Sequence, residues 1–155
     1  MDLRYFIKVD NSSTLVPRFK IGFADNTMPL SEQFILGGMD SFFGMNENEY
    51  RGRQIFLSSL MYRLKLPFQI FFDTYLKFRY DLGSTWAVQS QIKFKDLRHG
   101  IGGMVAFDTP IGPAEFGIGR SFLIKRKIPE NIISWGETLF YFSVGYRVNI
   151  SPASF

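Results

Sequence analysis

The sequence predicts an all-β fold, an antiparallel eight-stranded transmembrane barrel, and three observations carry that expectation. Residues 137–150 alternate, with Phe140, Phe142, Val144, Tyr146, Val148 and Ile150 on one face and Tyr141, Ser143, Gly145, Arg147 and Asn149 on the other. Period-two alternation over about ten residues suits a strand with lipid on one side and a polar barrel interior on the other. Second, 18 of the 155 residues are Phe and aromatics make up 17% of the chain, yet the mean hydropathy is only -0.01. So many rings exceed what a small soluble core buries, whereas a lipid-facing surface with aromatic girdles uses them. Third, turn residues divide the chain into eight strand-like runs joined by alternately short and long connections.

The runs are 2–10, 14–24, 32–38, 52–66, 68–80, 98–108, 113–124 and 137–150. In the first, Arg4 and Lys8 point inward; in the second, Phe19, Ile21 and Phe23 oppose Arg18 and Lys20. The third is short, and the fourth sends Arg63 and Lys65 inward. In the fifth, Ile70, Phe72, Leu76, Phe78 and Tyr80 face lipid while Gln69, Asp73, Lys77 and Arg79 face the interior. Glycines in the sixth and seventh runs (Gly100, Gly102, Gly103, Gly117, Gly119) have no following helix, so they read as close strand packing or barrel curvature and not as a phosphate loop. Glu115 faces inward from the seventh run and Arg147 from the eighth. A buried charge without a partner is very costly, so Asp73 and Glu115 are expected to be tied to Arg63, Lys77, Arg79 and Arg147 in a structural ion network.

Asp25 to Leu30, the Pro67 turn and Thr109-Pro110-Ile111-Gly112 read as short turns on one side; 39–51, 81–97 and 125–136 read as long loops on the other. Asn11-Ser12-Ser13 breaks the pattern, being short on the long-loop side. An even strand count returns both termini to one side. A short helix is allowed only around Trp86 to Phe94.

The length fits one domain over residues 1–155. No stretch reaches the roughly 18 apolar residues of a spanning helix. Cysteine is absent, which excludes disulfides, zinc fingers and a thiol nucleophile. Met-Asp-Leu-Arg-Tyr-Phe begins no secretory signal, so the chain reads as a mature or trimmed one. The net charge of +4 is spread over the strands apart from Lys125-Arg126-Lys127, which favours a solvated loop or anionic lipid headgroups over nucleic acid. His99 is the only histidine, so a His-rich metal site is excluded; no metal ligands, cofactor site or catalytic residues are assigned. Paired with Ser84 or Ser90, His99 is the one candidate for lipid-modifying chemistry near the membrane surface.

Several stretches, in order, carry a family resemblance. Gly37-Gly38-Met39-Asp40-Ser41-Phe42-Phe43-Gly44-Met45 resembles the Gly-Gly-x-x-Ser-x-Arg-Gly-Tyr/Phe loop of the BamA-type outer-membrane assembly and translocation superfamily, also called the bacterial surface antigen family. Tyr80-Asp81-Leu82-Gly83-Ser84-Thr85-Trp86 is similar to its Phe-x-Asp-x-Gly-x-x-Trp strand exit, and Leu97 to Gly102 followed by Thr109 to Pro113 resembles its hairpin. Phe142-Ser143-Val144-Gly145 completes the order. Gly145, Val148 and Ile150, with the terminal Phe155, resemble the C-terminal assembly signal of outer-membrane barrels.

The resemblance implies a bacterial outer-membrane barrel, akin to the C-terminal half of a sixteen-stranded one. Its expected role is non-catalytic: structural, or in membrane-protein assembly and insertion. Membrane lipid, a second copy in a homodimer and outer-membrane clients are the expected partners. The alternatives are a lipid-modifying enzyme or the barrel fragment of a patatin-like autotransporter. In the family the loop arginine meets an acidic residue on a neighbouring strand; Phe43 stands in that place here, so that ion pair is expected to be lost. The chain shows no POTRA segment, which tilts the expectation towards the structural role.

Overall fold

The computed structural model describes residues 1–69, 71–124 and 133–145. Ile70, the Lys125–Lys127 triplet, and Tyr146 onward, including Arg147, Val148, Ile150 and Phe155, lie outside the described residues.

The described chain is all-β, with short 3-10 turns only. Its strands are β1 (Asp2–Arg4), β2 (Ile7–Lys8), β3 (Ser13–Phe23), β4 (Phe34–Leu36), β5 (Tyr50–Gly52), β6 (Gln54–Lys65), β7 (Thr74–Trp86), β8 (Arg98–Thr109), β9 (Gly112–Ile124) and β10 (Ile133–Val144). The main sheet is antiparallel in the order β1-β3-β6-β7-β8-β9-β10, with β2 also lying along β3. No ladder joins β1 or β2 to β10 among the described residues, so the sheet stands open.

The six long strands hold 11 to 13 residues each. At about 3.3 Å per residue, twelve residues tilted by about 45° cover the roughly 30 Å of a bilayer core. Proline in the middle of β3 is tolerated because its missing N–H falls at a break. Tyr5 N–H donates to the Pro17 carbonyl (3.0 Å), no bond can return from Pro17, and the edge run divides there into β1 and β2.

The structure differs from the sequence expectation in four places. The third run, 32–38, is no membrane strand: β4 pairs only with β5, as a small separate hairpin. At three residues it is too short to span anything. Among the described residues the main sheet therefore has seven runs, with β1 and β2 counted as one. Removing that run also resolves the anomaly at Asn11-Ser12-Ser13, because the connections 9–12, 66–73 and 110–111 now share one end of the sheet while 24–53 and 87–97 share the other. Strand β7 continues through Asp81 to Trp86, paired with β6 as far as Gln54↔Trp86, and the helix allowed around Trp86 to Phe94 is replaced by 3-10 turns at Gln89–Gln91 and Phe94–Asp96. The Pro67 turn is wider than expected and includes Phe72, with Phe71 held at φ 75° and exposed.

Cross-strand register fixes two faces. On the outer face Tyr62, Phe78, Gly103, Ile118 and Phe140 form one ladder, and Phe78, Ile118 and Phe140 are exposed. Another outer row, towards the long connections, runs Tyr80, His99, Phe122 and Trp135, with successive ring centroids 6.0, 4.8 and 4.8 Å apart. The concave face carries Arg18, Ser59, Asp81, Gly100 and Ser121 in one row, covered by the β4–β5 hairpin and the loop 37–49.

Candidate functional site: the loop seated on the concave face

Loop residues Phe42, Phe43 and Met45 are fully buried. Phe42 and Met45 join Leu36, Ile55 and Leu57 in one apolar cluster; Phe43 joins Met39 and Met104 in a second, flanked by Met61 and Tyr141. Such a side chain stabilises by roughly 1.5–3 kcal/mol relative to leaving it in water, and this loop sets several of them against the sheet.

The seat for Phe43 is cut from glycine. A Cβ at Gly119 would lie 2.6 Å from the Phe43 ring and one at Gly117 would lie 3.1 Å away, while one at Gly102 would overlap the ring. At Gly100 an added carbon would strike the Phe43 carbonyl. The inward glycines of β8 and β9 thus form a slot one ring deep, a specific use beyond the general strand packing the sequence suggested. Gly44 follows at φ +86°, a backbone state that disfavours side chains, with its would-be Cβ only 2.7 Å from the Ser121 nitrogen.

Charge holds the same loop from the other side. Arg79 and Asp81, two apart on β7 and so on one face, form a buried ion pair (Nε to Oδ1, 2.9 Å) at 8% and 0% exposure. The Arg79 guanidinium also donates from Nη1 to the Met39 carbonyl and from Nη2 to the Ser41 carbonyl, both at 2.7 Å, and from Nε to Ser59 Oγ at 3.2 Å. Asp81 Oδ2 accepts the Phe43 N–H at 2.6 Å. From β3, Arg18 donates to the Asp40 carbonyl (2.8 Å) while its fork holds Asp2. From β10, the Tyr141 hydroxyl accepts the Gly44 N–H and donates to the Met45 carbonyl, both at 2.8 Å, with its ring 4.7 Å from that of Phe43. The loop is therefore fastened to β3, β7, β8, β9 and β10 together.

The residues singled out in the sequence fall into separate groups. Gly37, Gly38, Ser41, Phe43 and Gly44 all belong to the seated loop, with Gly37 and Gly38 at φ 126° and 95°. Lys77 bonds Glu115 within the concave face; Lys65 bonds Asp73 at 2.5 Å, assisted by Gln69. Arg63 instead lies over the Tyr75 ring, 4.0 Å from its centroid. Lys77, Arg79 and Glu115 also line a cavity of about 170 Å³ beneath the loop, with Arg18, Asp40 and Met104. Gly145 is described, at φ +97°, and ends the described part of the last run. His99 sits on the outer face, its Nδ1 2.7 Å from the Tyr80 hydroxyl and its ring stacked on Phe122; neither Ser84 nor Ser90 hydrogen-bonds to it.

Sequence reasoning missed Asp81 as an anchor, though Arg79-x-Asp81 on an alternating strand was the signal. It also missed Tyr141, which carried none.

The sequence profile of the Omp85 superfamily domain matches residues 1–148. The chain belongs to the Omp85 superfamily. Omp85 proteins are bacterial outer-membrane proteins, which agrees with a sheet apolar on one face and charged on the other. No curated protein sequence matches the chain. In this Omp85 chain the loop position expected to carry an arginine carries Phe43. A cation still meets the loop, but it comes from β7 as Arg79 and bonds loop carbonyls while Asp81 bonds a loop N–H.

Proposed function

We propose that this Omp85 chain forms the wall of a β-barrel in the bacterial outer membrane, with loop 37–49 filling its interior, and that its role is structural rather than catalytic. The observation that carries this is the loop itself. It fills the concave face with Phe42, Phe43 and Met45, and a sheet packed that way supports a rigid wall, not a channel or a substrate cleft. The exposed outer ladder and the aromatic row Tyr80-His99-Phe122-Trp135 support burial of the other face in lipid, since rings collect at the membrane interface.

A role in assembling other membrane proteins is the second reading, favoured by the Omp85 family and by the lack, among the described residues, of a ladder between β1 and β10. The experiment adds purified protein in liposomes to an unfolded barrel client. Insertion no faster than with an unrelated barrel supports the structural role; clear acceleration, lost when the Arg79–Asp81 clasp is broken, replaces it with the assembly role. Recovery of the protein in the aqueous phase without detergent would refute both.

A further inference from the structure

The inward glycines Gly100, Gly102, Gly117 and Gly119 are accounted for by the loop, since an added Cβ at each would meet Phe43 at 3.1 Å or less. Gly103 is different. It faces outward in the ladder between Phe78 and Ile118, and a Cβ there would find only ordinary contacts, the nearest being the Phe78 ring at 3.6 Å. Strand β8 pairs with β7 and β9 without a register shift, so no bulge explains the residue. Glycine inside a strand weakens it, and one of its recurrent uses is to let a ligand come close to the backbone. What Gly103 leaves is a groove of about 340 Å³ on the outer face, walled by Leu76, Phe78, Val105, Phe116 and Ile118 and apolar almost throughout. The strands beneath it, β7, β8 and β9, are each paired on both sides, so the groove belongs to the middle of the sheet.

A cation marks one end of this groove. Arg120 points outward from β9, two residues or about 7 Å beyond Ile118 in the direction of the long connections. Its Nε donates to the Gly136 carbonyl at 2.8 Å, where β10 breaks register between Trp135 and Thr138, and its guanidinium lies 5.1 Å from the Trp135 ring centroid. These contacts orient the side chain but use only one of its donors. Among the described residues no carboxylate pairs with Arg120, so Nη1 and Nη2 remain open beside the exposed Thr138, its neighbour across the ladder. An outward arginine is costly at the bilayer midplane and nearly free at the interface, and its planar fork matches two phosphate oxygens.

Resting on the barrel reading above, we infer that β7 to β10 carry a site for one phospholipid, its phosphate on Arg120 and Thr138 and an acyl chain laid over Gly103 between Phe78 and Ile118. The order of the two parts matches a lipid standing in a membrane. The cation lies beside the aromatic row Tyr80-His99-Phe122-Trp135, and the groove leads from it towards the middle of the strands, as an acyl chain leads from its headgroup towards the bilayer centre. A free oxyanion would use only the first part, and a lipid without phosphate only the second.

The test is native mass spectrometry after retention of the protein in the detergent phase has been checked; protein left in the aqueous phase overturns the barrel reading and the lipid site with it. Delipidated protein in mild detergent is titrated with phosphatidylglycerol, with diacylglycerol of the same chains, and with inorganic phosphate. The parent is expected to saturate with a single phosphatidylglycerol, to hold diacylglycerol about tenfold more weakly, and to keep its lipid when inorganic phosphate is added. Arg120→Gln should abolish the preference for the phosphate-bearing lipid while leaving diacylglycerol binding as it was. Gly103→Leu should weaken both lipids alike; Gly103→Ala, whose methyl sits at an ordinary distance from Phe78, should do so by a smaller factor and covers the case in which leucine disturbs the fold. Equal and unsaturable lipid uptake by the parent and every variant would establish only the lipid that surrounds any barrel. Displacement by inorganic phosphate, with no effect of either Gly103 variant, would establish an oxyanion site alone, and absence of lipid on the parent would leave the groove to another occupant; each overturns the inference.

Discussion

Asp81→Asn tests whether a buried charge, and not only apolar packing, keeps the loop on the concave face. Asp81 has no solvent exposure and serves two donors, Arg79 Nε at 2.9 Å and the Phe43 N–H at 2.6 Å. An asparagine of the same shape offers one acceptor oxygen, turns donors towards the guanidinium, and leaves Arg79 as an uncompensated charge. Breaking such a pair by removing one partner costs about 3–5 kcal/mol, a large share of the roughly 5–15 kcal/mol that holds a domain folded. With a urea slope of about 2 kcal/mol per molar, the midpoint should fall by about 2 M. The assay is urea unfolding in phospholipid vesicles followed by the fluorescence of Trp86 and Trp135, with trypsin cleavage after Arg51 or Arg53 reporting loop release. Arg79→Gln alone should cost a similar amount. The double variant should cost much less than the sum, because it removes both charges at once. An Asp81→Asn midpoint within about 0.3 M of the parent, or strict additivity in the double variant, would refute the clasp.

Gly102→Ala should destabilise by about 1–3 kcal/mol because its methyl enters the space of the Phe43 ring, and Phe43→Leu should return part of the loss; a neutral Gly102→Ala in the same urea titration would show that the slot is not tight. Hydrogen bonds from Ser13 hold the Asp10 carboxyl below its ordinary range, and the Lys65 bond does the same for Asp73. Their contribution is therefore complete above about pH 4 and is lost as pH falls through the lowered values. Asp10→Ala and Asp73→Ala should each flatten the acid limb of a stability-pH curve, and an unchanged limb would count against both bonds. Homodimers in contact through outward rings such as Phe140, 81% exposed, should appear in native mass spectrometry from mild detergent, and monomers at every concentration would remove the pair. With Phe42, Phe43 and Met45 buried against the concave face, large single-channel conductance from planar bilayers would contradict the seated loop.

The inside and outside of the long strands were legible from alternation alone, because a side chain's face follows from counting by two once a strand exists. Lys77 and Glu115 meet across two strands for that reason, and Phe78 and Tyr80 look outward for the same one. Counting strands was harder. Phe34-Ile-Leu36 is as apolar as a membrane strand, and only its length and its pairing with Tyr50–Gly52 show that it covers the sheet instead of joining it. That one misplaced run changed the count of runs among the described residues, and with it the side on which Asn11-Ser12-Ser13 turns. The loop seat was half legible. Its glycines and rings were visible in the sequence, but nothing local says that Phe43 enters a slot between Gly102 and Gly119, residues 59 and 76 positions later, or that Tyr141 closes the far side. The exchange of an arginine on the loop for a phenylalanine looked like a loss because the loop was read alone. Seen with β7, the charge has a new origin: Arg79 reaches the loop carbonyls from the strand, and the vacated loop position can hold a ring only because the facing strands carry glycine where any side chain would collide with it. Restoring an arginine at Phe43 would therefore place a second guanidinium beside Arg79 with Asp81 already shared, so the two arrangements are alternatives and not additive.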